Sequence, residues 1–460
     1  MKKILIVINS NLFLRNYIST DAFKLLEEKY DVHYILEKST IKMAEHHEIN
    51  KFSYYKLNPL KMRYIFRVNA LARYHYLGKS KTFKFRHQKL KHYRIKDIKN
   101  HLKSFFVKPR IKEIVFNTCM LIIEEILLSL FKKKYVYNFF LPILKIFDFQ
   151  IKSIKSQIDK INPDLLILPS CAYDSELGTL YKSSKRKNSK LLLLIDNWDN
   201  LSSKSILIYK PCYMGVWGEQ TKKHAIEIHN MDKKNVFCIS NPRFQSYFSS
   251  RNSNLKSNFN WKYILFLGTS MPLNEKLVLN KLNNLIEKNS SLDSYKIIYR
   301  PHPWSRKDSF DLSKLQNVII DPQVVEQFQS NSYSSRFQPN IDYYPSLLQN
   351  SSIIIGGLTS MIIESSIMYK NYVVLAYRDE DHFESPETIY NSHLHFEGIE
   401  TLPNIKLCRH LDNLENLVLN NLNSVDKIQK DLIDKKLNYF VRNDDETYKE
   451  RLLRICQKVI

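Results

Sequence analysis

A glycine turn in the C-terminal half carries two hydroxyls and, one helical turn later, a carboxylate: Gly356-Gly357-Leu358-Thr359-Ser360, then Glu364. The apolar run Ser352–Ile355 before it predicts a buried strand, and the residues after it predict a helix. The first amides of a helix have no intrahelical partner and sit at the positive end of its dipole, so the chemistry of such a turn is phosphate binding. Gly357 would let the backbone approach, and Thr359 and Ser360 would add hydroxyl donors at the N-cap. Glu364, on the same face as Ser360, would accept hydrogen bonds from a ribose. A plain serine cap before an amphipathic helix uses the same residue types and stands as the alternative.

Two further strand exits carry polar groups. Tyr295–Tyr299 runs into Arg300-Pro301-His302-Pro303, a cationic, proline-stiffened exit. His302 would donate to a phosphate oxygen, or protonate a leaving nucleotide if it titrates near neutrality; a buried, satisfied histidine is the alternative. Tyr263–Leu267 runs into Gly268-Thr269-Ser270, a second phosphate cradle or a simple turn. Upstream, Asp196-Asn197-Trp198-Asp199 through Lys204 follows the strand Leu191–Ile195 and would face a cleft. Asp199 or Asp196 would deprotonate an attacking hydroxyl there, with Asp174 and Glu176 as rivals; an Asx-turn beside a buried tryptophan is the alternative. His393, His395 and Glu397 alternate at period two, which reads as a strand edge more readily than as a metal site. There is no Gly-x-Gly-x-x-Gly and the chain has eight glycines in all, so no dinucleotide cofactor is expected.

These groups need a scaffold of alternating strands and helices. Strands are predicted at Ile4–Ile8, Asp31–Leu36, Leu165–Leu168, Leu191–Ile195 and Val236–Ile239, with a further strand exit at Gly215-Val216-Trp217-Gly218 and helices at Thr20–Lys29, Phe147–Ile161, Ser175–Ser184 and Thr221–His229. A second series follows, with strands Tyr263–Leu267, Tyr295–Tyr299, Val318–Ile320, Ser352–Ile355 and Tyr372–Ala376, and helices Asn274–Lys288, Tyr344–Leu348 and Ser360–Tyr369. Short apolar runs alternating with helices imply parallel sheets covered on both faces. At 460 residues two domains are expected: an α/β domain over 1–248, a polar linker over 249–260, a second over 261–425, and C-terminal helices over 426–460.

Charge marks a third part. The net charge is +24. Between Lys79 and Lys112, thirteen Lys or Arg stand against Asp97 alone, half of that excess. Tyr74, Tyr76, Phe83, Phe85, Tyr93, Phe105 and Phe106 are interleaved, and two apolar runs follow, Ile114–Phe131 and Phe139–Phe147, separated by Lys132-Lys133-Lys134. Asn117, Glu124, Glu125 and Ser129 interrupt the first run and the second is short, so neither is expected to span a bilayer. A basic, aromatic-rich insertion over about 70–147 suits the anionic inner face of a membrane; a solvated helical insertion is the alternative. No nucleic-acid module is recognisable, so no nucleic-acid partner is expected. Six scattered cysteines without paired spacing indicate a reducing compartment, and the short apolar start reads as a strand rather than a signal peptide. A cytoplasmic protein peripherally associated with the inner membrane is expected.

The second half resembles the donor domain of GT-B glycosyltransferases of bacterial surface polysaccharide biosynthesis, with the CDP-glycerol glycerophosphotransferases and Kdo- or sialyl-type transferases nearest in pattern. Arg300, His302, Pro303, Thr359, Ser360 and Glu364 match that family's donor-binding positions. Asn241-Pro242-Arg243-Phe244, Phe13-Leu14-Arg15-Asn16-Tyr17 and Asp196–Lys204 also resemble its segments. The chain departs at Asp21 and at Tyr369-Lys370-Asn371, where glycine is usual in the family. The resemblance implies two Rossmann-like domains facing a cleft, with a nucleotide-activated sugar (CMP-, CDP- or UDP-linked) as donor and no required metal or other cofactor. Gly268, Thr269, Ser270, Arg300, His302, Gly357, Thr359, Ser360 and Glu364 would hold the donor. Asn9, Arg15, Asn16, Glu176, Trp198, Lys204 and Arg243 would hold a glycan or lipid-linked acceptor, and Asp199, Asp196 and His302 would serve catalysis. Polyol-phosphate transfer, a nucleotide-sugar epimerase on the same fold, and a non-catalytic polyanion-binding protein remain as rivals.

Overall fold

The computed structural model describes residues 1–460 apart from 46, 48, 105–109, 303–311, 326–339, 380–381 and 423–424. Phe105, Phe106 and Pro303, invoked above, lie outside the described residues.

The apolar runs become two parallel sheets. β1 (Lys3–Ile8), β2 (Asp31–Glu37), β3 (Phe52–Tyr55), β4 (Leu165–Ser170), β5 (Lys190–Ile195), β6 (Tyr213–Val216) and β7 (Val236–Cys238) form a seven-stranded sheet in the order β3-β2-β1-β4-β5-β6-β7. β8 (Lys262–Leu267), β9 (Tyr295–Arg300), β10 (Val318–Ile320), β11 (Ile353–Gly356), β12 (Tyr372–Leu375) and β13 (Ile405–Cys408) form a six-stranded sheet in the order β10-β9-β8-β11-β12-β13. The central strands are buried on both faces, which is why they read as unbroken Ile and Leu rather than as an alternation. Strand order reverses between β1 and β4 and again between β8 and β11. In such sheets the crevice outside the strand ends at the reversal is where ligands bind. β3 and β13, which the sequence pattern does not predict, are both edge strands of four residues, too short to carry a periodic signal.

One hydrophobic cluster joins the two halves. Trp198, Trp217, Phe244 and Tyr247 pack with Tyr263, Ile362, Leu437 and Phe440. The last helix, Tyr448–Val459, returns to the first sheet, where Tyr448, Leu452 and Ile455 pack with Ile4, Ile6 and Tyr17. The chain therefore crosses between the two sheets twice.

The insertion is four helices: Pro59–Tyr76, Lys81–Lys103, Ile111–Phe131 and Lys134–Ile146. Helix Lys81–Lys103 reaches the second half of the chain. Lys81 pairs with Glu397 and Lys89 with Glu384, Thr82 Oγ1 accepts from the Leu394 amide at 2.8 Å, and Phe383 stacks on Phe85 and His92. Ile111–Phe131 is one continuous helix of 21 residues that takes in Asn117, Glu124, Glu125 and Ser129, with a mean hydropathy of 2.0 in its most apolar window. That meets the length and composition needed to cross a bilayer.

Other boundaries shift for local reasons. The first helix begins at Lys24 rather than Thr20, because Leu14–Ile18 forms a π-turn and Asp21 is left-handed at φ 53°. The helix expected from Phe147 starts at Lys152, since Asp148 turns inward to Lys61 and Tyr209. His393–Glu397 is a single 3-10 turn rather than a strand edge. Both glycine departures fall at left-handed residues, Asp21 at φ 53° and Tyr369 at φ 54°. The glycine-type conformation is kept without the glycine.

Candidate functional site

The exits of β8, β9 and β11 converge because three glycines remove side chains between them. A Cβ on Gly268 would lie 2.7 Å from the His302 amide nitrogen, and one on Gly356 would lie 2.8 Å from the Leu267 carbonyl. A Cβ on Gly357 would meet the Thr269 methyl at 2.8 Å. Facing these exits are the loop after β5 and the segment after β7. Between them lies a cavity of about 460 Å³, within the range of small-ligand sites. Arg15, Trp198, Asp199, Lys204, Arg243, Gly268, Ser270, Arg300, His302, Thr359, Ser360 and Glu364 line it. Asn9, Asn16, Glu176, Asp196, Thr269 and Gly357 are not among the residues that line it.

Glu364 is the focus of the second-half wall. It is 4% exposed, and its Oε1 lies 3.3 Å from Arg243 Nε across the cleft. Its Oε2 is buried with no hydrogen-bond partner among the described residues. Burial raises its pKa, while Arg243 and Arg15 pull it back down. Arg243 sits against Trp217 and Phe244, its guanidinium carbon 4.9 and 4.8 Å from the ring centres, and its Nη2 also lacks a partner among the described residues. A buried carboxylate oxygen and a buried guanidinium nitrogen, both unsatisfied on one cavity, are an open demand for a polar ligand. Beside them Thr359 Oγ1 accepts from the Met361 amide at 3.2 Å, whereas Ser360 makes no side-chain cap bond. Thr359 thus takes the capping role and the Ser360 hydroxyl is spared it.

His302 is pushed down to about 4 by burial, so it is a neutral imidazole at neutral pH. In this state it hydrogen-bonds as a neutral ring, the first of the two roles given it above; protonating a leaving nucleotide needs a pKa nearer neutrality. Arg300 lines the cavity but its charge is committed elsewhere. It pairs with the buried Asp321, and its Nη2 donates to Gln323 Oε1 at 2.7 Å and to Tyr344 Oη at 2.8 Å. The guanidinium lies 4.4 Å above the Tyr344 ring. Thr269 is likewise internal, its amide donating to Glu275 at 2.9 Å and its hydroxyl accepting from the Met271 amide at 3.1 Å.

On the first-half wall the two aspartates part company. Asp196 is fully buried, accepting from Asn16 Nδ2 at 3.0 and 3.2 Å and from Asn241 Nδ2 at 3.2 Å. It ties three separate segments together and does not reach the cavity. Asp199 does reach it, 2.8 Å from Lys204 Nζ, and its pKa is lowered: Lys204 and His395 outweigh the desolvation that opposes them. Trp198 donates to Gln220 at 2.7 Å and meets His395 and Phe396 edge-on, so most of its ring is packed between the two halves. Glu176 accepts from Tyr55 at 2.7 Å and from Asn9 at 3.1 Å. This second polar knot lies at the β1/β4 reversal, where neighbouring Asp174 is pushed up to about 7 by burial. Among the described residues no three His, Cys, Asp or Glu side chains converge as a metal site.

Tyr247, Tyr344, His395 and Phe396 also line the cavity and were not singled out for it. Their only sequence signal is proximity: Tyr247 follows Arg243 by one helical turn, and His395 lies in the segment read as a strand edge.

No protein-family model matches the chain, and no curated protein matches it. Solved structures do. A UDP-GlcNAc 2-epimerase from Neisseria meningitidis bound to UDP-GlcNAc superposes at a TM-score of 0.53 with 10% identity, over 99% of this chain and 100% of that one. The S. aureus MnaA–UDP structure gives 0.50 with 11% identity, over 100% and 98%. A weaker overlap, 0.48 at 12% identity over 99% and 88%, is found with the wall teichoic acid polymerase TagF. At these identities the likeness is one of fold: two Rossmann-like domains facing a cleft, the GT-B arrangement, here with a basic helical insertion in the first domain.

Proposed function

We propose that the chain is an enzyme acting on a nucleotide-activated sugar held in the cavity between its two domains. The observation that carries this reading is Glu364: a buried carboxylate with one oxygen against Arg243 and the other unpartnered, one helical turn beyond a glycine exit at the sheet reversal. Ribose hydroxyls are donors that satisfy such an oxygen. Ser270, Thr359, Ser360 and neutral His302 supply hydrogen bonds to the phosphates, and Arg15 and Arg243 supply positive charge. Arg300 acts by holding the β9 exit in place through Asp321 and Tyr344.

Two finer readings share this donor pocket. Epimerisation of a UDP-sugar is supported by the likeness to solved 2-epimerases, which extends over nearly the whole of both chains. Transfer to a glycan or lipid-linked acceptor in cell-surface polysaccharide synthesis is supported by the insertion, an addition that an enzyme with a single soluble substrate does not need. In the second reading Asp199 is the cavity carboxylate placed to accept the acceptor's proton, with Lys204 beside it. Incubation of the full chain with UDP- and CMP-linked sugars, followed by NMR, separates the two. A new epimer without acceptor establishes the first; nucleotide release that requires added acceptor establishes the second. Binding of heparin together with indifference to every nucleotide sugar would contradict both.

A further inference from the structure

The helix Ile111–Phe131 is inverted relative to a helix packed in water. Its one buried carboxylate faces the protein: Glu124 lies 2.9 Å from Arg94, while half-exposed Glu125 pairs with Lys91 on helix Lys81–Lys103 and exposed Glu113 sits in the first turn. Its apolar side faces out, with only 11% of its most apolar window buried. Val115, Ile122 and Ile126 recur at helical spacing on that outer side, with Ile122 56% and Ile126 53% exposed. The next helix repeats the pattern through Phe139, Ile143 and Ile146, the first and last 67% and 77% exposed. Lys132, Lys133 and Lys134, all exposed, sit at the turn between them, and Arg110 and Lys112 stand at the far end. A predominantly apolar face of this kind, broken by Thr118 and Ser129 and rimmed by cations, marks an interaction surface.

We propose that the outer faces of these two helices form a monotopic docking surface for anionic phospholipid, the apolar side chains entering the acyl boundary and the flanking lysines contacting the headgroups. Charge complementarity selects this occupant. A second copy of the chain would bring the same basic flanks together, on a protein whose net charge is already +24. A spanning pose is disfavoured because Ile111–Phe131 is clamped through Glu124 and Glu125 to a helix bearing nine Lys or Arg, which would follow it into hydrocarbon. Lying flat leaves that helix in the headgroup region, where its charge is favourable.

The test is vesicle flotation of the full chain with phosphatidylcholine alone and with equal parts phosphatidylcholine and phosphatidylglycerol. Wild-type protein is expected to float with the anionic vesicles and to be released in part by high salt. Ile122→Asp combined with Ile126→Asp should reduce flotation about tenfold or more, and Lys132→Glu with Lys133→Glu and Lys134→Glu should abolish the preference for the anionic vesicles. Both variants alter exposed side chains that do not line the cavity, so an unchanged melting temperature certifies their fold independently of any nucleotide. Failure to float with either vesicle would overturn the proposal. So would a stable dimer in solution that the isoleucine variants dissolve, since the face would then belong to a second copy.

Discussion

At the scale of single residues, the site divides into groups that meet the cavity and groups that hold those in place. Glu364→Ala removes the acceptor offered to the ribose and is expected to weaken nucleotide binding by about tenfold to a hundredfold, the worth of a charge-assisted hydrogen bond. Titration calorimetry checks it. Arg300→Ala should behave differently. Its buried partner Asp321 would be left as an uncompensated charge, so a loss of about 3–5 kcal/mol in folding stability is expected, read by denaturant unfolding. Ser360, Glu364 and His302 were legible in the sequence because turn chemistry and helical spacing are local. The separation of Asp196 from Asp199 was not. Asp196 is removed from the cavity by Asn16 and Asn241, 180 and 45 residues away, and no spacing rule links such partners.

At the scale of elements, the pocket depends on strand exits that approach closely. Gly268→Ala places a methyl against the backbone of His302 and Pro301, which cannot swing aside as a side chain could. A cost of about 1–3 kcal/mol in stability is expected, together with loss of nucleotide affinity. Asp21→Gly tests the other sign. Asp21 occupies a left-handed conformation that glycine adopts without strain, so the substitution should raise stability by about 0.5–1 kcal/mol in thermal unfolding. Tyr369 is not expected to gain in the same way, since its hydroxyl donates to Asp434 at 2.7 Å and its ring carries Arg251 and Lys430. Central strands were legible because burial on both faces leaves an unbroken apolar run. β3 and β13 were missed because an edge strand of four residues leaves neither a run nor an alternation.

At the scale of the whole molecule, two domains are joined by a shared aromatic cluster, by two chain crossings and by the insertion helix Lys81–Lys103. Burial in this frame holds His75, His224, His229, His302 and His393 down to about 3 or 4. Below about pH 6.5 the unfolded chain binds protons at these rings that the folded chain refuses, so stability falls as the pH drops toward 4. Asp174, raised to about 7, opposes this trend by holding a proton in the folded state, as do Glu275 and Glu364 at lower pH, but the lowered histidines, His87 and His395 among them, are more numerous. The melting temperature is therefore expected to fall between about pH 7 and pH 5, and more steeply in Asp174→Asn. The two-domain plan was legible from alternating strand and helix signals; the outward apolar face of the insertion was not, because composition shows how apolar a helix is but not which way it faces. The measurement that bears most directly on the account is titration calorimetry of the full chain with CMP, CDP, UDP, GDP and ADP, repeated with Glu364→Ala. Selective binding of a pyrimidine nucleotide, weakened in the variant, is the predicted result. Binding that Glu364→Ala leaves unchanged, or binding of none of the five, would contradict it.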